Sequence, residues 1–108
     1  MSARLPHPDA QAECFLSARP SDVPVAASLE IIELTPDEAH VIFDAQLGAG
    51  ARVFLRLTAS RERSEAILGR VVWEGPDPGQ RGFLTILRFA EPLLPSALAP
   101  FTRPGCTG

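Results

Sequence analysis

Prolines and glycines punctuate this chain too often for long helices. Eleven prolines and eight glycines fall among 108 residues, and proline in a helix interior removes a hydrogen bond and clashes with the preceding turn. Between these breaks the apolar residues alternate with polar ones instead of recurring every three to four positions. Val25, Ala27, Leu29 and Ile31 fall on one face with Glu30 opposite, and Ala39, Val41 and Phe43 continue that face beyond Pro36. In "ARVFLRL" the inward set is Val53, Leu55 and Leu57, and in "AILGRVVW" it is Ile67, Val71 and Trp73. The pattern predicts strands near residues 25–34, 39–44, 51–59, 65–74 and 82–90, with a further short strand within Ala12 to Ala18. The glycines of "LGAGAR" read as a hairpin turn rather than a phosphate loop, because a strand follows them and not a helix.

Five to seven short antiparallel strands without a substantial helix define an all-β fold. A closed small barrel is favoured over an open sheet because closure hides the strand edges. The expected core is Leu29, Ile31, Val41, Phe43, Val53, Leu55, Leu57, Val71, Trp73, Leu87 and Phe89. Residues 1–11 form a flexible arm, 12–91 the barrel, and 92–108 a proline-rich tail with room for one short helix. The length allows one core and not two.

Composition narrows the functional classes. The net charge is −3, which argues against DNA or RNA as a partner, since nonspecific binding needs a basic field. All basic residues are arginine, the better side chain for forked recognition of carboxylate and phosphate. Cys14 and Cys106 have no metal-binding or redox spacing and read as free thiols. No basic leader precedes an apolar run and no apolar stretch is long enough to span a bilayer, so the expectation is a cytoplasmic protein without membrane insertion.

Catalytic and metal constellations are weak. No Ser-His-Asp order stands out, and Cys14 has no neighbouring base to activate it, so an enzyme is not expected. His7 and His40 read as solvated, and the acidic group Glu33, Asp37, Glu38 and Asp44 misses the calcium-loop spacing and its glycine. No cofactor is implied. More informative are Arg52, Phe54, Arg56, Arg70 and Arg88, each opposite the apolar face of its strand. They are the candidate partner-binding residues, suited to an acidic protein.

Three stretches resemble a known family. "GARVFLRL", "LGRVVW" and "GFLTILRFAE", in that order and spacing, are similar to the PilZ domain, a small bacterial barrel known as a receptor for cyclic di-GMP. The likeness runs from about Leu29 to Glu91. It implies a ligand loop in which Asp or Asn, any residue, Ser, two more residues and Gly follow in order. Here the matching positions hold Glu33, Thr35 and Glu38, each a departure. The family's second signature, two arginines four apart in the N-terminal arm, is incomplete. "RLP" at Arg4 to Pro6 resembles its tail, with the first arginine falling before Met1, and Arg19 is a weaker candidate.

The departures oppose a nucleotide ligand. A missing arginine removes a forked contact worth about 1–3 kcal/mol, and a carboxylate about 7 Å from a phosphate costs roughly 0.6–2.4 kcal/mol. Where the family has glycine, Glu38 adds both a Cβ and a charge. The resemblance therefore implies a degenerate member working by protein contact in cyclic di-GMP signalling, as in pilus and motility control. The alternative is a genuine receptor using Arg4 or Arg19 with Glu33, Thr35 and Glu38.

Overall fold

The computed structural model describes residues 5–16, 23–79 and 81–102. Seven strands run through them: β1 (Gln11–Phe15), β2 (Ala26–Leu34), β3 (Glu38–Phe43), β4 (Arg52–Ala59), β5 (Glu62–Arg63), β6 (Ile67–Pro76) and β7 (Phe83–Phe89). All neighbours are antiparallel in the order β1-β2-β3-β7-β6-β4-β5, and β1 also pairs with β4. That last pairing closes six strands into a barrel and leaves the two-residue β5 as an addition. The all-β barrel expected from the alternation is what forms.

Inward positions fill the interior with large aliphatic and aromatic groups. Phe43, Leu34, Leu55, Leu57, Leu87, Val41, Val53 and Val71 are buried side chains of the core. Each contributes on the order of 1.5–3 kcal/mol from removal of its apolar surface from water. Beyond β7, the short helix α1 (Pro95–Leu98) starts with proline in its first turn and passes into a 3₁₀ turn, Ala99–Phe101. Proline suits a helix start because its missing N–H would be unpaired there anyway. Leu98 and Phe101 join the barrel core. The same turn meets the chain's beginning, where the His7 amide donates to the Phe101 carbonyl at 2.8 Å and Pro6 bridges Thr102.

Three expectations are corrected. Leu29 is 50% exposed and Trp73 49% exposed; both were expected in the core. The reason is the same in each strand. The β2–β3 register skips between Ser28 and Glu30 and again between Ile31 and Glu33, and the β6–β7 register skips between Val71 and Trp73. An extra residue in one strand reverses the phase of everything beyond it. The other expected core residues are buried.

The third correction concerns "LGAGAR", which is not a hairpin turn. β3 neighbours β2 and β7 while β4 neighbours β1, β5 and β6, so residues 44–51 cross one end of the barrel. Side-chain and backbone bonds hold this crossover to β6. The Glu74 carboxylate accepts the amides of Leu47 at 2.7 Å and Gly48 at 3.1 Å, and the Gly50 amide donates to the Val71 carbonyl at 2.8 Å.

Candidate functional site

The acidic turn between β2 and β3 bonds mainly to itself. The Thr35 hydroxyl accepts the amides of Asp37 at 3.2 Å and Glu38 at 3.0 Å, and the Thr35 amide donates to the Glu38 carbonyl at 2.9 Å. Such hydroxyl-to-backbone bonds stabilise turns at the expense of other partners. The turn is also fixed to the chain beyond β7, because the Phe89 amide donates to the Asp37 carbonyl and the Leu93 amide to that of Pro36.

Glu38 opens β3 with a strand backbone, and among the described residues the only non-glycine with positive φ is Ser60. The turn thus needs no glycine at that position. The Glu38 carboxylate is fully engaged: His40 Nε2 lies 3.2 Å from one oxygen, and Arg88 Nη2 and Nε lie 3.0 and 3.3 Å from the other. The His40 hydrogen bond first, and then the Arg88 hydrogen bond, hold the Glu38 carboxyl below its ordinary value. Glu33 stands on the far side of the imidazole, 3.7 Å from His40 Nδ1. Arg88 is therefore spent on Glu38 and not directed at an incoming phosphate. Arg4 and Arg19 lie outside the described residues.

A second constellation lies on the outside of the barrel. Arg52 on β4 is directly opposite Arg70 on β6, and Arg70 is directly opposite Arg88 on β7. The next strand continues the row with Glu38, opposite Arg88. Three arginines thus stand in register across three strands, with the Arg88 guanidinium turned to Glu38. Only Arg88 among them makes an ion pair within the described residues. They line a shallow depression of about 350 Å³ together with Leu68 and Gly69. Like charges directly opposite on antiparallel strands are destabilising, so the barrel holds this row against its own preference.

Phe54, half-buried, sits beside the row, opposite Leu68 on β6 and Phe15 on β1. Arg56 does not join it. Its side chain is 8% exposed, lies over the Phe15 ring at 5.2 Å and is opposite Glu13. It packs as a cation on an aromatic face, two residues along β4 from Phe54 and toward β1.

Trp73 is the functional candidate that alternation placed inside. The bulge at Val72 turns it outward, opposite Ile86 and next to the Arg70–Arg88 pair. The two consecutive valines before Trp73, which break the apolar–polar alternation, are the only sign of that bulge in the sequence.

No family model, no curated protein and no solved structure matches this chain. Among the described residues no helix is long and apolar enough to cross a membrane.

Proposed function

We propose that this chain is a PilZ-type barrel acting as a non-enzymatic adaptor in cyclic di-GMP signalling, working through protein contact with weak or no nucleotide binding of its own. The observation that carries the reading is the engagement of Glu38 with both Arg88 and His40. An anion entering the turn would have to displace that ion pair and rest among Glu33, Asp37 and Glu38. The order of the three family-like stretches and the closed six-strand barrel support the family assignment. The outward arginine row supports an acidic protein as partner.

The loop part of this reading is tested by restoring the family pattern. Asp37→Ser with Glu38→Gly frees Arg88 and removes two negative charges, so affinity for cyclic di-GMP should rise at least about tenfold, as for one charge-assisted contact regained. Added salt should reduce the gap between the variant and the unmodified protein by screening. An unchanged affinity would show that the carboxylates are not what keeps the nucleotide out.

A further inference from the structure

The arginine row and Trp73 belong to one surface. Along β6 the outward positions are Leu68, Arg70 and, past the Val72 bulge, Trp73; along β7 they are Leu84, Ile86 and Arg88. The cationic row is therefore bordered by apolar side chains on both sides, Leu68 and Phe54 toward one end of the strands and Trp73 and Ile86 toward the other.

The indole is positioned by a glycine. A Cβ on Gly75 would lie 2.7 Å from Trp73 Cη2 and 3.1 Å from Cζ2, so the ring rests against the Gly75 backbone and only glycine leaves it room. One side of the ring is packed and the residue as a whole remains 49% exposed. An aromatic ring fixed in this way loses little freedom when a partner covers it, and Trp and Arg are the residues that most often dominate interfaces.

We propose that this face, centred on Arg70, docks an extended acidic segment of a partner protein, with an acidic side chain between Arg52 and Arg70, whose charges are unpaired among the described residues, and apolar side chains on either side of it. The proposal shares the partner-binding role with the adaptor reading, but it stands independently of whether the β2–β3 turn takes a nucleotide. Charge complementarity selects the acidic side chain: three arginines face outward together, and two have no carboxylate partner among the described residues.

Spacing selects the rest. Outward rows on a strand lie about 7 Å apart, and so do same-face side chains of an extended segment. A partner strand reading apolar, acidic, apolar at alternate positions therefore matches the Trp73–Ile86 row, the arginines and the Phe54–Leu68 row in turn. The indole extends beyond the first of these toward Gly75. A nucleic acid fits less well, because Glu38 closes one end of the row and the chain carries net charge −3.

The test is a nuclear magnetic resonance titration of the isotope-labelled protein with a capped peptide, serine-leucine-serine-glutamate-serine-leucine-serine, to millimolar concentration. Saturable shifts are expected at the Trp73 indole N–H and at the amides of Leu68, Arg70, Ile86 and Arg88. Replacing the peptide's glutamate by glutamine, or making Arg70→Gln in the protein, should weaken binding about tenfold. Gly75→Ala should weaken it while the amide spectrum of the barrel stays folded.

No shift at millimolar peptide would overturn the proposal. So would shifts indifferent to the glutamate, or a stronger Trp73 response to a thymidine hexanucleotide than to the peptide. Peptide binding here in a protein that also binds cyclic di-GMP would defeat the adaptor reading and leave the docking site standing.

Discussion

Trp73 faces Ile86 across the β6–β7 ladder on the outside of the barrel, while Val71, two residues earlier, faces Leu87 within it. A single unpaired residue, Val72, separates the two environments. The energetic consequence is direct. Trp73→Ala removes a ring already half in water and should cost about 1 kcal/mol, whereas Phe43→Ala in the buried core should cost roughly 3–5 kcal/mol. Urea midpoints of the two variants check this; equal losses would place the indole in the core.

Arg70 stands between two other arginines on neighbouring strands. Removing its charge relieves two cross-strand repulsions of roughly 0.2–1 kcal/mol each. Arg70→Gln should therefore raise the thermal midpoint by about 2–9 °C, and concentrated salt should narrow the difference. A fall in midpoint would mean that Arg70 has a structural partner. A residue that lowers stability while supporting binding is what a docking site predicts.

Glu38 gives the barrel part of its acid sensitivity. Its carboxyl is held below an ordinary value near 4.5 by His40 and Arg88, so the ionised form is the one the fold favours. A depressed carboxyl adds stability that is complete above the unfolded value and is lost as pH falls through the folded one. Glu38→Gln should be less stable by roughly 0.2–1 kcal/mol at neutral pH, and the gap should close as the pH drops below the ordinary glutamate value. Asp77, held down by the Arg81 hydrogen bond, keeps its own acid dependence in both proteins. Denaturant midpoints at neutral and acidic pH decide the matter; a constant gap would show that the Glu38 pair is not what titrates.

Much of the barrel was legible because no register shift interrupts the β3–β7 or β4–β6 pairing. Ala39, Val41 and Phe43 point inward, as do Val53, Leu55 and Leu57 and, on β7, Leu87 and Phe89. β2 and β6 were harder because bulges are set by pairing with the neighbouring strand, not by the hydrophobicity of their own residues. Leu29 and Trp73 were misplaced for that reason. The crossover at Gly48 looked like a hairpin because glycine marks a turn without saying which strand the chain joins next; the Glu74 bonds that settle it are long-range.

The candidate site was legible as residue types and not as geometry. Arg52, Arg70 and Arg88 were visible as outward residues, but their direct opposition depends on inter-strand register. Arg56 shares the same alternation and differs only in its neighbours, Phe15 and Glu13, which come from β1.

Cys14 should be chemically silent in the folded protein. It is fully buried in the core, and burial pushes its thiol up to about 12, leaving almost no thiolate to react. Iodoacetamide at mildly alkaline pH should label Cys14 only as fast as the barrel unfolds, and promptly in denaturant. Rapid labelling of the Cys14 peptide without denaturant would mean that β1 separates readily from β2 or β4.

The central claim is that the β2–β3 turn, with Glu38 bound to Arg88 and His40, is closed to anions. Calorimetric titration of the unmodified protein with cyclic di-GMP tests it most directly. A dissociation constant weaker than about 100 μM, or no measurable heat, is predicted, because millimolar affinity is only about −4 kcal/mol and the loss of two or three good contacts removes a micromolar interaction. Low-micromolar binding that disappears on substituting Arg4 or Arg19 would contradict the account and make this barrel a nucleotide receptor.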